Sequence, residues 1–225
     1  MQKFSKTEAV AFGWKTIKAH IWMLIPVFLM VWLIPVVAYS IAGGFASFNF
    51  NSGGDFDAGS NGIASLLSWG ISTLLAIGLL KILLSFADTG TAEFDELFTN
   101  YKLFIKYAFT SILLGIIVFF GFVLLIIPGI IFSTRLQFAP YFVVDKGVGP
   151  FEAIRKSWGA TRGSFFNLIL LWLMFIGINF VGFLALGIGL LVTIPLTGIA
   201  LAHVYRKLES GASNASSPAS APSTA

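Results

Sequence analysis

The sequence predicts an all-α, polytopic transmembrane bundle of six helices, with three amphipathic helices lying on the cytoplasmic membrane surface. Three observations predict it. Charged residues make up 11% of the chain, against about a quarter in soluble domains, while 57% are hydrophobic and mean hydropathy is +0.90. Apolar runs suited to a ~30 Å hydrocarbon core recur along the chain. Lys and Arg, moreover, collect on one side of the threading those runs imply.

Residues 1–20 are basic and polar, with Lys3, Lys6, Lys15 and Lys18 against Glu8. Ser5-Lys6-Thr7-Glu8 fits a capping box, and Val10, Trp14, Ile17 and Ile21 fall on one helical face, which reads as a surface helix. The first span follows over residues 21–41. A cleaved leader is the lesser reading there, because the apolar run is too long and holds Pro26 and Pro35. Residues 43–62 are a Gly/Ser/Asn-rich loop with Asp55 and Asp57 and no base, and their spacing from Asn49, Asn51 and Asn61 fits no calcium loop. The second span is residues 63–87, with Lys81 placed to snorkel toward the headgroups.

Residues 91–102 read as a second surface helix. Phe94, Leu97, Phe98, Tyr101 and Ile105 share a face, and Glu93, Asp95 and Glu96 suit its N-terminus. The third span is 104–127. Pro128-Gly129 then breaks the chain and residues 130–144 head back, covering ~22 Å as helix. That segment is a fourth span with local thinning or half of a re-entrant hairpin, and the span is preferred. Gly149-Pro150 opens the third surface helix, whose apolar stripe is Phe151, Ile154, Trp158 and Phe165. The fifth and sixth spans are 164–181 and 188–205, with Gly182, Gly187 and Gly189 around their turn. Residues 1–209 thus form one membrane domain. The Ala/Ser/Pro tail, 210–225, cannot bury a core and is expected to be disordered.

With the N-terminus in the cytoplasm, six spans put Lys3, Lys6, Lys15, Lys18, Lys102, Lys106, Lys146, Arg155, Lys156, Arg162, Arg206 and Lys207 inside. Lys81 and Arg135 lie in spans that end on that side, so the outer loops hold none of the 14 bases. Both termini are then cytoplasmic. A parallel three-unit repeat is also suggested, each unit a surface helix followed by two spans. Residues 7–25 align without gaps on 151–169, matching Glu8 with Glu152, Ala9 with Ala153, Trp14 with Trp158 and Lys18 with Arg162. The middle unit shares the layout but few of the residues.

The absence of Cys excludes disulfides and thiolate chemistry, and two His make a His-rich metal site unlooked for. No basic face suits nucleic acid, and no nucleophile–base pair, phosphate loop or carboxylate dyad appears. Neither an enzyme nor a cofactor is therefore expected. His203 and Tyr205 are read as interfacial anchors, Trp14 and Trp158 as belt residues, and Gln137 as interhelical glue.

Arg135 is the exception to an otherwise bland chain. It lies ten residues before Asp145, ~15 Å along a helix, with no acid in any span. A charge at that depth costs at least about 2.5–3.5 kcal/mol unless paired or wetted. It binds carbonyls freed at a kink by Pro140, snorkels, or faces an anionic ligand such as a lipid phosphate. Arg135, Gln137 and Pro140 are the candidate anion or lipid site, and Glu8, Trp14, Lys18, Glu152, Trp158 and Arg162 the marked positions of the surface helices.

The C-terminal part carries Pro128-Gly129, R-x-x-x-A-P-Y at residues 135–141, Asp145, G-P-F-E-A-I at 149–154, Ser157-Trp158, Pro195 and V-Y-R-K-L at 204–208. In these it resembles a family of bacterial integral membrane proteins. That family includes the membrane domain fused to some glycerophosphoryl diester phosphodiesterases, and free-standing six-helix relatives. The resemblance implies a bacterial inner membrane, six helices and a connection with lipid; no phosphodiesterase domain is present. The first functional reading is a non-enzymatic membrane protein that binds or moves an amphiphile or anion, with membrane lipids as partners. The second is a scaffold that holds a protein partner through its cytoplasmic helices.

Overall fold

The computed structural model describes residues 4–49, 58–185, 187 and 189–216, and every regular element among them is helical. α1 (Lys6–Asn49) starts where Ser5 Oγ accepts the backbone N–H of Glu8, half of the expected capping box. One residue inside it, His20, leaves helical geometry (φ −128°, ψ 27°), at the boundary the sequence draws between surface helix and first span. α2 (Ala58–Thr89) follows. Both helices extend into what reads as the 43–62 loop, and Asp55 and Asp57 lie outside the described residues.

The second surface helix is largely absent. α3 (Glu96–Thr99) is a single turn, followed by a 3₁₀ turn over Tyr101–Leu103. Leu97 alone of its apolar face is buried, whereas Phe98, Tyr101 and Ile105 are 65%, 62% and 78% exposed. The cause is close docking: α3 rests on α2 at Gly78, where an added Cβ would meet the Leu97 carbonyl oxygen at 2.0 Å.

α4 (Phe104–Leu124) and α5 (Ile126–Leu136) form a hairpin that turns at Leu125 rather than at Pro128-Gly129, since Leu125 alone is extended (φ −165°, ψ 149°). Pro128 sits in the first turn of α5, where its missing N–H costs nothing. Gly129 instead lets the Phe122 ring lie against the backbone, at 2.5 Å from where its Cβ would be. α6 (Ala139–Lys146) carries Pro140 in its first turn. Pro140 therefore opens a new helix and does not kink a continuous one. Gly147 ends α6 in left-handed geometry (φ 62°), and its carbonyl accepts Lys106 Nζ at 2.6 Å. Because Lys106 is in the first turn of α4, α5 and α6 together carry the chain back the whole length of α4.

α6 is also the best-buried element. Phe138, Ala139, Tyr141, Phe142, Val143 and Val144 are all at or below 6% exposure, enclosed by α2, α4 and α7. α7 (Pro150–Ala160) fully buries Ala153 and Ser157, while of the predicted stripe Ile154, Trp158 and Phe165 are half-buried and Phe151 is 71% exposed. Small residues let its backbone approach closely, and the large ones are left to the surroundings. α8 (Phe165–Leu184) and α9 (Leu190–Ser216) form a second tight hairpin, where Gly189 meets the Gly182 backbone. α9 continues to Ser216, past the start of the expected tail at 210, and residues 217–225 lie outside the described residues.

Among the described residues, five stretches are long and apolar enough to cross a membrane: Lys6–Ile41, Ser65–Thr89, Glu96–Leu124, Ile126–Lys146 and Phe165–Leu184. α9, the predicted sixth, is diluted by Thr193, Pro195, Thr197 and His203. Large apolar side chains point outward along these helices, among them Trp22 at 91% and Phe166 at 77% exposure. Helical Ser and Thr spend their hydroxyls on carbonyls of their own turns, as at Thr73 to Trp69 and Thr110 to Lys106. Both traits suit hydrocarbon surroundings.

Burial in the two aligned units runs in phase. Ala9, Gly13, Ile17, Leu24 and Val27 are buried, and so are Ala153, Ser157, Thr161, Leu168 and Leu171, each 144 residues later. The break at His20 falls opposite Ser164, which caps α8 outside helical geometry (φ −110°, ψ 8°).

The Gly78 contact gives a test. Gly78→Ala is expected to destabilise the protein by about 1–3 kcal/mol through overpacking against Leu97. Gly70→Ala in the same helix, where a Cβ meets nothing within 4 Å, should stabilise by up to ~1 kcal/mol. Thermal unfolding in detergent compares them, and equal midpoints would refute the close α2–α3 contact.

Candidate functional site

α5 stops at Leu136 because Pro140 has no N–H to continue its ladder. The carbonyl of Arg135, in that last turn, is taken up by α7, with Ser157 Oγ donating at 2.7 Å and Thr161 Oγ1 at 3.3 Å. The guanidinium does not satisfy freed carbonyls; α7 hydroxyls do. Those two bonds bring Trp158 under Arg135, whose guanidinium carbon lies 4.6 Å from the ring centroid. Phe132 packs on the same indole at 6.0 Å. Arg135 is half-buried, its Nε is buried without a hydrogen-bond partner, and its side chain joins no ion pair among the described residues. It is beside a basic helix, not alone in an apolar span.

Gln137 and Pro140 do not join it. Gln137 Oε1 accepts Trp172 Nε1 from α8 at 2.7 Å, and its Nε2 donates to the Thr134 carbonyl at 3.0 Å, which leaves it to fasten α5 to α8. A cavity of about 360 Å³ opens on that α8-facing side, lined by Ile130, Ser133, Thr134, Trp172 and Ile176 among others, without Arg135. Pro140 serves the chain break alone.

The marked surface-helix residues divide similarly. Trp14 is 46% exposed with Lys18 Nζ 4.9 Å above its ring, a surface counterpart of Arg135 on Trp158. Glu8 pairs with Lys207 at 3.2 Å and lies 3.8 Å from His203, joining the start of α1 to the end of α9. Glu152 pairs with Lys156 at 2.9 Å, and Arg162 is exposed.

The sequence reading missed a polar centre. Arg206 on α9 bonds Asp145 at the end of α6 at 2.8 Å and Asp88 at the end of α2, and Tyr205 donates its hydroxyl to Asp145 at 2.8 Å. Glu209 ties in Lys146 at 2.8 Å. Burial works against the charge on Arg206, but its bonds to Asp145 and Asp88 outweigh that and hold its pKa above the usual guanidinium value. Tyr205 is no interfacial anchor: at 1% exposure it packs against Phe138, Tyr141 and Phe142. The signal was present, in an Asp and a Tyr-Arg pair closing two apolar segments.

A family model described as a domain of unknown function, DUF7847, matches residues 62–219. Uncharacterised proteins of Mycobacterium tuberculosis, from strains H37Rv and CDC 1551, and of Mycobacterium bovis are each 32% identical over 102 residues. The match covers 45% of this chain and 31% of each relative. No solved structure matches significantly. The comparisons do not connect the chain with the glycerophosphoryl diester phosphodiesterase membrane domain.

The polar centre is testable by a double-mutant cycle. Arg206→Leu should cost about 3–5 kcal/mol by stranding Asp145, which is 9% exposed. Adding Asp145→Leu should recover part of that loss. Strictly additive unfolding midpoints would show that the pair is not coupled.

Proposed function

The chain belongs to the DUF7847 family, a domain of unknown function, and we propose that it is a non-enzymatic integral membrane protein that binds or moves an anionic amphiphile at Arg135. The observation that carries this is the unspent guanidinium. The Arg135 guanidinium carbon lies 4.6 Å from the Trp158 ring centroid, its Nε is buried and unpaired, and hydroxyl bonds from Ser157 and Thr161 take up its carbonyl, so its side chain is spent on no partner among the described residues. A planar donor fork so placed matches phosphate geometry, and a desolvated guanidinium without an anion is disfavoured.

The setting is a bacterial inner membrane crossed six times, with α9 as the sixth crossing and both ends cytoplasmic. Support comes from the one-sided bases and from the Glu8–Lys207 and Lys106–Gly147 contacts, which put four helix ends together. The in-phase burial supports common descent of the first and third units, and the lipid link suggested by the phosphodiesterase-associated membrane domains fits the same reading. The scaffold reading draws on exposed Phe98 and Tyr101 near Lys102, but aromatics at that level equally suit the headgroup region.

Single Cys residues in this Cys-free chain test the threading. Ser60→Cys should label with an impermeant reagent from outside intact cells and Ser213→Cys only after lysis; labelling of the latter in intact cells would refute it.

For the site, native mass spectrometry of the protein extracted with its lipids reads retention directly. Arg135→Lys should weaken retention of anionic lipid several-fold, since the charge stays and the fork is lost. Arg135→Leu should abolish it with the melting temperature held or raised. A fall in melting temperature with unchanged bound lipid would make Arg135 purely structural.

A further inference from the structure

α7 presents more than Trp158 beside Arg135. Arg155 is three residues before Trp158, on the same helical face, and is exposed. Arg162 follows in the turn that closes the helix and is exposed too. The two are seven positions apart, ~10 Å if the helical rise is carried through the closing turn, a span that long flexible side chains could bridge toward a ligand held over the indole. Phe151, 71% exposed, continues that face as an apolar floor.

The nearby acids do not offset these charges. Glu152 is held by Lys156, and Asp145 and Glu209 by Arg206 and Lys146. Neither Arg155 nor Arg162 joins an ion pair or a side-chain hydrogen bond among the described residues, and neither does Arg135. Arg135 alone is stacked on Trp158, while Arg155 and Arg162, three residues before and four after that indole in sequence, are exposed cations without a carboxylate partner among the described residues.

We infer that this site selects a phosphate headgroup carrying two negative charges, a phosphomonoester or terminal diphosphate amphiphile, over a singly charged phosphodiester. The inference rests on the anion reading of Arg135. A diester offers one negative charge shared by two non-bridging oxygens, enough for one bidentate fork. A monoester, with a second pKa near 6, carries about −1.5 to −2 at pH 7 and three acceptor oxygens, so that Arg155 and Arg162 have charge to meet once Arg135 is engaged.

The test uses the full chain in neutral detergent, with native mass spectrometry of competing short-chain phosphatidic acid, phosphatidylglycerol and phosphatidylcholine. The wild type should retain phosphatidic acid over phosphatidylglycerol by about tenfold at pH 8. That preference should shrink as pH falls through ~6 and the second proton binds. Arg155→Gln with Arg162→Gln should remove the preference and keep phosphatidylglycerol bound; Arg135→Leu should lose both lipids. Equal retention by the wild type, or a preference that survives the double substitution, overturns the dianion inference while the anion site stands. Full retention by Arg135→Leu overturns the site itself. Displacement of phosphatidic acid by millimolar inorganic phosphate would assign the site to the free ion and overturn the lipid assignment.

Discussion

One guanidinium holds three helices in register. Arg206 reaches Asp145 and Asp88, at the ends of α6 and α2, from its own place on α9. Without it a carboxylate only 9% exposed would keep just the longer Lys146 contact at 3.4 Å and the Tyr205 hydroxyl. The rest of the architecture follows from that knot. α6 is short and buried over Tyr141–Val144, and Tyr205 packs on it while donating to the same carboxylate. With α6 fixed, the α5–α6 break has a defined position, and α7 is placed to answer it.

That answer couples structure to the candidate chemistry. A helix break inside an apolar region exposes carbonyls that lipid cannot satisfy. Here Ser157 and Thr161 supply the hydroxyls, and their placement one residue before and three after Trp158 brings the indole under Arg135. The guanidinium is consequently oriented by stacking while its hydrogen-bonding edge remains uncommitted. An arginine used to plug the break would have had its donors consumed. Division of labour between α7 hydroxyls and Arg135 is what leaves a charge available for a ligand.

Much of the fold was legible because it depends on local rules. The boundary at His20, the start at Ser5, the Gly147 stop and the glycine hairpin at 182–189 all follow from patterns of polarity and small residues. What could not be read depends on tertiary company. Residues 138–144 look like a lipid-facing span because burial in protein and burial in lipid select the same apolar side chains. Tyr205 looked like an interfacial anchor since its partner is sixty residues away. The α7 stripe of large residues was legible, but that the same helix packs on the protein through Ala153 and Ser157 was not, because small residues carry no hydrophobic signal. Of the candidate trio, Arg135 was identifiable by cost alone, whereas the diverging roles of Gln137 and Pro140 required knowledge of α8 and of the chain break.

The interrupted return of α5 and α6 bears on how the protein is made. A segment holding Arg135, Gln137 and Pro140 partitions poorly into hydrocarbon by itself, since a central arginine alone costs several kcal/mol. Its turn at Leu125 leaves no loop, and Gly121, Gly129 and Phe122 are already in contact across the hairpin. Under the proposed threading, α4 and α5 would enter a bilayer as one pre-paired hairpin, with α4 supplying the apolar surface that the segment around Arg135 lacks and α7 covering the break only once it has been synthesised.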